Sequence, residues 1–230
     1  MMLSACVFGG AMALGFWLPY RAQFAIARTW ARILLWVLER LCGLKYVVEG
    51  RERIPAGNHI VMSNHTSAWE TIAQFLIFPP QIWVLKRELL WIPFVGWGLK
   101  LLRPIAINRG EGHRAVNQVV EQGKLRLADG LWIIIFPEGT RVVAGNTRKF
   151  GVSGAMLSIA SGKSLVPLSH NAGAFWPRRG IVKKPGTVRV FIGEPIKPDG
   201  KNPRELNEEV KQAIELGLAR IAVAAAGDSR

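Results

Sequence analysis

The chain of 230 residues is long enough for one sizeable domain with a single hydrophobic core. Its 30 lysines and arginines outnumber its 16 acidic residues and give a net charge of +14, which suits nucleic acid, an anionic membrane surface or a phosphorylated substrate. Hydrophobic residues make up 50% of the chain and nine residues are tryptophans, which favour membrane interfaces. The composition therefore argues against a soluble nucleic-acid binder and for a membrane surface.

An uncharged stretch, residues 1–18, opens the chain and is ended by Pro19. Its length is at the lower limit for crossing a bilayer, so the pattern fits either a membrane span or a segment within one leaflet. A secretory signal would begin with basic residues, whereas here Arg21, Arg28 and Arg32 follow the stretch. This order favours retention in the membrane, with the downstream chain on the cytoplasmic side.

Residues 21–42 have the periodicity of an amphipathic helix. Large apolar side chains recur at helical spacing on one face: Trp30, Ile33, Leu34, Val37, Leu38 and Leu41. Charged residues fall on the opposite face. The pattern favours a helix lying in a membrane interface over a helix packed on the domain core. We therefore predict a membrane-anchoring helical segment over 1–42 and an α/β domain over 43–230.

From residue 44 onwards, short runs rich in valine and isoleucine alternate with helical stretches. Strands are predicted at 45–48, 59–63, 82–85, 104–107, 131–136, 164–168 and 188–192. Helices are predicted near 67–78, 112–127, 152–161 and 203–226, the last with Asn202 as its N-cap and Glu205 as the capping-box partner. This alternation predicts an α/β fold with a mostly parallel or mixed central sheet flanked by helices.

The stretch "LLWIPFVGWGLKLL", residues 89–102, contains a single charge and two tryptophans, and it is interrupted by proline and glycine. These breaks make it a poor core segment. The composition favours an exposed apolar surface that dips into lipid, or the lining of a tunnel for an acyl chain.

His65 and Glu70 lie where the predicted strand 59–63 gives way to the helix 67–78. On one continuous helix, five positions would separate their side chains by roughly 140°. If His65 lies in the loop, both side chains can meet at the helix start, with Ser67 as N-cap and Glu70 as its capping-box partner. The positive end of the helix favours a neutral imidazole and an ionised carboxylate. The pattern fits both a simple helix cap and a general base oriented by a carboxylate.

No serine lies in a G-x-S-x-G turn, and Cys6 and Cys42 are poorly placed as nucleophiles. A base at His65 would therefore activate a hydroxyl group of the substrate.

Three further stretches follow predicted strands, where ligands bind in open α/β sheets. "FPEGTR" offers a carboxylate, a close backbone approach, a hydroxyl and a guanidinium suited to phosphate, from Glu138, Gly139, Thr140 and Arg141. "RPIAINRG" offers Arg109 as a second phosphate ligand. "VPLSHNAG" offers His170 as a second base, although a structural role is favoured for it. Each stretch alone also fits an ordinary polar turn.

"NHTSAWE", "INRG", "FPEGTR" and "VPLSHNAG" occur in the order and approximate spacing of the four sequence blocks of the glycerolipid acyltransferases. Over residues 58–195 the chain resembles the bacterial 1-acyl-sn-glycerol-3-phosphate acyltransferases of that family. The family motif has His, four residues and then Asp, whereas this chain has Glu70 as the acid. Asn108 stands where the family often has Asp. Some members carry an N-terminal two-helix membrane motif, which residues 1–42 resemble.

The resemblance implies an α/β fold and direct transfer of a fatty acyl group from acyl-CoA or acyl-carrier protein to the sn-2 hydroxyl of 1-acyl-sn-glycerol-3-phosphate (lysophosphatidate). The product is phosphatidate for phospholipid biosynthesis. His65 would take the hydroxyl proton and Glu70 would orient and charge-stabilise His65. The acceptor's phosphate and glycerol would be held by Arg109, Glu138, Gly139, Thr140 and Arg141, with Arg148 and Lys149 adding positive charge.

The resemblance also implies that no metal or bound cofactor is required. The expected partners are lysophosphatidate, membrane lipid and the acyl donor, with no nucleic acid. The expected location is the bacterial inner membrane, with the catalytic domain on the cytoplasmic face.

Other interpretations stay open from the sequence. The acceptor can be another lysolipid, such as a lyso-ornithine lipid, or glycerol-3-phosphate, although Arg141 in "FPEGTR" favours lysophosphatidate. The His–Glu pair can instead activate water, as in a hydrolase of thioesters or lipid esters. A non-catalytic membrane adaptor would use the two residues only as a helix cap.

Overall fold

The computed structural model describes residues 2–146, 148–178 and 180–227, without the side chains of Met2 and Arg109. The helices are α1 (Met2–Leu14), α2 (Tyr20–Cys42), α3 (Trp69–Ile77), α4 (Val95–Leu101), α5 (His113–Ala128), α6 (Ser153–Ser161), α7 (Ala172–Phe175) and α8 (Pro203–Gly227). The strands are β1 (Leu44–Glu49), β2 (Ile60–Ser63), β3 (Gln81–Lys86), β4 (Ile105–Ile107), β5 (Trp132–Ile135), β6 (Leu165–His170) and β7 (Gly186–Ile192). Short 3-10 turns lie at Arg51–Arg53, Arg87–Trp91 and Arg109–Glu111. Every predicted strand is present, with ends that differ by at most two residues.

The strands form one mixed sheet in the order β1-β7-β6-β2-β5-β3-β4. β2 is parallel to β5 and β6, and β3 is parallel to β4 and β5, so five strands point the same way. β7 pairs antiparallel with β6 and parallel with β1. The segments that follow β2 to β6 therefore meet at one edge of the sheet, which we call the carboxyl edge. The mixed sheet flanked by helices confirms the predicted α/β class.

The central strands are covered on both faces. On β5, Trp132 and Ile134 belong to the core cluster that includes α2 and α3, whereas Ile133 and Ile135 belong to the cluster that includes α5, α6 and α8. Successive side chains of a strand point to opposite faces, so a strand buried on both sides must be apolar throughout. The run "LWIIIF" has this composition.

α8 begins with the capping box that the sequence predicts. Asn202 Oδ1 accepts the backbone N–H of Glu205 at 3.0 Å, and Glu205 Oε2 accepts the backbone N–H of Asn202 at 3.1 Å. The buried face of α8 consists of Leu206, Val210, Ile214, Gly217 and Ile221. This face packs on the sheet as predicted, with Leu218 partly buried at its margin.

α2 packs on the domain through a face other than the predicted stripe. Its buried apolar residues are Phe24, Ala27, Ala31, Leu35 and Leu38. Of the predicted stripe, Leu38 is buried and Trp30 and Leu34 are partly buried, while Ile33 and Leu41 are exposed, so the assignment of this face to a membrane interface stays a prediction. The two small alanines allow a close approach to the neighbouring elements, which decides the orientation. A second, outward apolar strip is left beside the packed face.

α1 packs on α4. Gly98 lies so close to Gly9 that a Cβ on Gly98 would be 2.8 Å from the Cα of Gly9, so a larger residue would force the helices apart. Trp91, Phe94 and Trp97 stay exposed, which agrees with an apolar surface at 89–102 rather than a core segment. In the described part of the chain, no helix combines the length and the apolar character needed to cross a membrane.

Candidate active site

The carboxyl edge gathers the polar stretches that the sequence singles out. His65 follows β2, residues 136–141 follow β5 and His170 ends β6, and these three strands are neighbours in the sheet. Arg109 follows β4, further along the same edge. Segments distant in the sequence therefore meet because their strands are adjacent or nearly so.

His65 and Glu70 form a hydrogen-bonded pair at the start of α3. The Nδ1–H of His65 donates to Glu70 Oε1 at 2.7 Å. His65 lies in the loop between β2 and α3, and Glu70 lies in the first turn of α3. The loop brings together two side chains that a continuous helix would hold apart. The predicted contact is confirmed.

Glu70 is also the capping residue of α3. Its Oε1 accepts the backbone N–H of Thr66 at 3.1 Å and of Ser67 at 3.0 Å. In return, Ser67 Oγ accepts the backbone N–H of Trp69 at 3.1 Å. α3 begins at Trp69 with Ala68 as its N-cap, one residue later than the predicted Ser67, so that part of the prediction was wrong. One carboxylate oxygen of Glu70 nevertheless accepts the loop N–H groups at the helix start and binds the imidazole. The helix cap and the oriented base, which are alternatives in the sequence, use the same atoms.

The imidazole of His65 is held through Nδ1, so its Nε2 is available to a substrate. Its ring stacks on Phe136, with the centroids 4.0 Å apart. The side chain is 12% exposed, and no described group forms a hydrogen bond with Nε2. Burial lowers the pKa of His65 below its ordinary value, against the raising effect of Glu70. The ring is therefore neutral at pH 7, and Nε2 can accept a proton.

Glu70 is buried between two histidines. Its Oε2 lies 4.0 Å from Nε2 of His170 and has no hydrogen-bond partner among the described residues. Burial acts to raise the pKa of Glu70, but the electrostatic effect of the neighbouring His170 and the hydrogen bond from His65 outweigh burial and lower the pKa overall. Glu70 is therefore an anion suited to stabilise a protonated His65.

The turn after β5 is tied to the loop that carries His65. The backbone N–H of His65 donates to Glu138 Oε1 at 3.2 Å, and the backbone N–H of Val142 donates to His65 O at 2.7 Å. Gly139 has a φ of +68°, which a glycine adopts without strain. The carboxyl of Glu138 therefore supports the backbone of His65, and its role as a substrate ligand stays a prediction.

Glu138 is an unusual carboxyl group. Burial raises its pKa to about 7, although the backbone N–H groups of Glu138 and His65 act to lower it. Its Oε2 is buried and has no hydrogen-bond partner among the described residues. Near neutral pH this group therefore exists in both protonation states.

The guanidinium of Arg141 lies near the His65–Glu70 pair and has unused hydrogen-bond donors. It lies close enough to His65 to contribute to the lowered pKa of the imidazole. Its Nε is buried and has no hydrogen-bond partner among the described residues. Its own backbone oxygen accepts from Nη1 of Arg178 at 2.9 Å. A guanidinium with unused donors in this position suits a phosphate oxygen.

A family model described as Acyltransferase matches residues 45–171, more than half of the chain, and this range contains every predicted site residue. The chain belongs to the acyltransferase family. It is 40% identical over 208 residues to the 1-acyl-sn-glycerol-3-phosphate acyltransferase of Pseudomonas aeruginosa, covering 89% of this chain and 81% of the relative. The enzyme of the same name from Borreliella burgdorferi is 34% identical, covering 75% of this chain and 68% of the relative.

A solved structure agrees with the family assignment. The crystal structure of the 1-acyl-sn-glycerophosphate acyltransferase from Thermotoga maritima matches with a TM-score of 0.79 at 25% identity. The match covers 96% of this chain and 91% of that one. This acyltransferase therefore shares its fold with that enzyme over nearly its full length.

Sequence reasoning missed the contribution of Asn64 to this acyltransferase site. Asn64 Oδ1 accepts the backbone N–H of His170 at 3.0 Å, and its Nδ2 donates to His170 O at 3.0 Å. The ring of His170 donates from Nε2 to Asn64 O at 2.8 Å and accepts the backbone N–H of Ala172 at Nδ1. His170 is thus fully engaged, which supports the structural role favoured for it over that of a second base. The only signal for Asn64 was its place beside His65.

Two predictions about this acyltransferase stay predictions. The side chain of Arg109 lies outside the described residues, although its backbone is placed at the carboxyl edge. No group of three or more His, Cys, Asp or Glu side chains in the described residues is arranged to hold a metal ion. The expectation of a reaction without metal or cofactor is left to experiment.

Proposed function

We propose that this acyltransferase transfers a fatty acyl group from acyl-CoA or acyl-carrier protein to the sn-2 hydroxyl of 1-acyl-sn-glycerol-3-phosphate and so makes phosphatidate for phospholipid biosynthesis. The observation that carries the proposal is the 2.7 Å hydrogen bond from His65 Nδ1 to the buried Glu70, which leaves Nε2 as a base. The relatives from Pseudomonas and Borreliella that share this family bear the name of the same activity.

The reaction needs a base but no nucleophile from the protein. The sn-2 hydroxyl gives its proton to Nε2 of His65 while its oxygen attacks the thioester carbonyl. The C–O ester bond forms, the C–S bond breaks, and the proton passes from His65 to the departing thiolate. Glu70 holds the Nδ1–H and stabilises the imidazolium. No hydroxyl or thiol of the described residues is hydrogen-bonded to His65, which fits direct transfer.

Residues 138–141 and Arg109 are assigned to the phosphate and glycerol of the acceptor. The unused donors of Arg141 beside His65 support this assignment, because a phosphate bound there places the glycerol hydroxyls near the base. The space beside Gly139 supports it as well, since apart from Gly139 and its two chain neighbours no described residue has an atom within 4 Å of the point where a Cβ would be. No metal or bound cofactor takes part.

The acceptor is a lipid, and we assign residues 1–42 as the membrane-anchoring segment of a catalytic domain over 43–230. α1, α2 and the turn between them expose large apolar side chains, among them Leu3, Trp17 and Leu41, and the neighbouring segment 87–97 exposes Trp91. Basic residues follow the uncharged residues 1–18, which supports a location at the cytoplasmic face of the inner membrane. The net charge of +14 suits both anionic lipid and an acidic donor.

The proposal is tested by giving purified full-length protein a panel of acceptors. Lysophosphatidate, lyso-ornithine lipid and glycerol-3-phosphate are each supplied with acyl-CoA or acyl-carrier protein, with and without a metal chelator, and products are identified by mass spectrometry. The expected product is phosphatidate, from lysophosphatidate only, with no effect of the chelator. Acylation of another acceptor would reassign the substrate, and release of free fatty acid without an acceptor would indicate a hydrolase.

A further inference from the structure

The loop between α7 and β7 carries an exposed apolar pair. Residues 177–185 have the sequence "PRRGIVKKP", and we call them the tip loop. Ile181 is 88% exposed, the highest fraction of any large apolar side chain in the described part of the protein, and Val182 is 75% exposed. Adjacent aliphatic side chains left in water lose the stabilisation of an apolar environment. Their exposure at the end of a loop indicates a contact surface.

The base of the tip loop is fixed. Trp176 is buried just before the loop, and its indole N–H donates to Gly180 O at 3.0 Å. The backbone N–H of Lys184 donates to Phe175 O at 2.9 Å, which closes the loop at its ends. These bonds leave Ile181 and Val182 outside the closed part, so the pair projects from the domain.

Basic residues surround the apolar pair, and the tip loop contains no acidic residue. Arg178 and Lys184 are exposed, and the Lys183 ammonium lies 4.7 Å from the centroid of the Trp176 ring. No carboxylate of the described residues forms an ion pair with these three cations. An apolar tip among unpaired cations is complementary to an anionic membrane interface, where aliphatic groups enter the acyl chains and cations meet lipid phosphates.

The position of the tip loop agrees with this complementarity. It follows β6 through α7, and the apolar segment 87–97 follows β3, so the two lie at the carboxyl edge on opposite sides of β2 and β5. His65 lies between them. A bilayer that contacts both therefore covers the active-site edge of the sheet.

We propose that the tip loop is a second membrane contact of this protein, in which Ile181 and Val182 enter an anionic bilayer and Arg178, Lys183 and Lys184 meet its phosphates. The inference rests on the proposed function in that the acceptor is a membrane lipid. Arg178 donates to the backbone of Arg141, so the contact also brings the assigned phosphate ligand to the bilayer surface. An acceptor then reaches His65 without leaving the interface.

A polarity-sensitive dye tests the contact directly. In full-length protein with Cys6→Ser and Cys42→Ser, the dye is attached through Ile181→Cys, with Leu216→Cys as the matched control. Leu216 is 71% exposed on α8 and points away from the buried Ile214. With vesicles of phosphatidylcholine and phosphatidylglycerol, the dye at position 181 is expected to shift to shorter wavelength and to be quenched by a lipid-tethered quencher, with no change at position 216. An unchanged dye at 181, or equal changes at both positions, overturns the proposal.

Affinity measurements separate the two parts of the contact. Ile181→Asp with Val182→Asp is expected to weaken vesicle binding roughly tenfold or more. Lys184→Gln is expected to weaken binding to anionic vesicles roughly fivefold and to leave binding to pure phosphatidylcholine unchanged. If these variants instead lose affinity for acidic acyl-carrier protein while vesicle binding is unchanged, the tip loop is a protein-docking surface and the proposal is wrong.

Activity assays distinguish failure of this inference from failure of the proposed function. With a short-chain, water-soluble lysophosphatidate, the Ile181→Asp, Val182→Asp variant is expected to keep wild-type turnover, while its rate on vesicle-embedded acceptor falls in step with vesicle affinity. Loss of activity with both acceptors overturns the proposal. If the wild-type protein acylates neither acceptor, the proposed function fails, and the dye at position 181 still decides whether the loop enters the bilayer.

Discussion

Two segments follow strands at the carboxyl edge and differ in their contacts. The side chains of one form hydrogen bonds within the protein, whereas large apolar side chains of the other are exposed. In residues 64–70, Glu70 Oε1 accepts three N–H donors, and Asn64 exchanges two hydrogen bonds with the backbone of His170. In residues 87–97, which follow β3, the large side chains of Trp91, Phe94 and Trp97 are exposed. The first segment is held in place by hydrogen bonds within the protein, although Glu70 Oε2 has no partner among the described residues, whereas the second leaves apolar surface to be covered.

The difference corresponds to two requirements of interfacial chemistry. A base works efficiently when its tautomer and position are fixed before the substrate arrives, and the hydrogen bonds around His65 fix both. A surface that receives a lipid needs no such precision, because the hydrophobic effect is non-directional. Variants in the first segment should therefore change the chemistry, and variants in the second should change only access to membrane-bound acceptor.

Among variants in residues 64–70, His65→Ala is expected to have the largest effect on activity. Removal of the base should lower the rate of phosphatidate formation on the order of a thousandfold, because general-base catalysis contributes about that much. His113→Ala is the matched control, since His113 is exposed at the start of α5. Product is measured by mass spectrometry and folding by circular dichroism. Equal activity of the two folded variants would leave His65 as a helix-start residue only.

Glu70→Gln separates the two roles of the same carboxylate. A glutamine oxygen can still accept the backbone N–H groups of Thr66 and Ser67, so the thermal midpoint should shift by no more than a few degrees. It has no charge to stabilise imidazolium, so kcat/KM should fall about a hundredfold. Ser67→Ala is the converse variant, because Ser67 Oγ accepts the backbone N–H of Trp69. It should cost about 1 kcal/mol of stability and little activity. A glutamine variant with full activity would mean that Glu70 acts only as a cap.

The helices and strands of this protein were predictable from the sequence where a single hydrophobic pattern determines the secondary structure. All seven strands were found, because β-branched runs bounded by turns have few other uses. α4 was missed, because it is a seven-residue helix with two glycines that forms against α1. The packed face of α2 was not predicted, because the buried Ala27 and Ala31 weigh little in a hydrophobic pattern.

The site divides in the same way between local and distant contacts. The bond from His65 to Glu70 was predictable because a loop and a cap within one short segment determine it. The bonds from His65 to Glu138 and from Asn64 to His170 join residues 73 and 106 positions apart. These contacts depend on strand order and on which side chain points inward, which a single sequence does not specify.

Glu138→Gln tests the buried carboxyl that supports His65. Its pKa of about 7 in the folded protein exceeds the ordinary 4.5, so the folded state binds the proton more tightly than the unfolded state. The contribution of Glu138 to wild-type stability is therefore most favourable below about pH 4.5, falls as the pH rises to about 7 and is level above that. Glutamine mimics the protonated form, so its stability advantage over wild type should grow to at most about 3 kcal/mol by pH 8 in denaturant titrations.

Two further measurements define the role of Glu138. Glu121→Gln, the same change at an exposed position on α5, is the matched control in these titrations. If Glu138 only supports the backbone of His65, the glutamine variant should retain most of its activity, since Oε1 still accepts the N–H. A large rise in KM for lysophosphatidate with kcat unchanged would instead make Glu138 a ligand of the acceptor.

Variants in the second segment, residues 87–97, should lower membrane affinity and have the smallest effect on turnover. Trp91→Ser with Trp97→Ser removes two exposed indoles, so vesicle affinity should fall about tenfold or more, as measured by sedimentation. Turnover of a dispersed short-chain acceptor should be unchanged, because neither indole forms a hydrogen bond or ring contact with the His65 loop in the described structure. Leu125→Ser removes a similarly exposed side chain from α5, on the other face of the sheet, and should leave both quantities unchanged. If the tryptophan variant lost turnover on the dispersed acceptor, the two segments would not be independent, and the apolar surface would belong to the catalytic machinery.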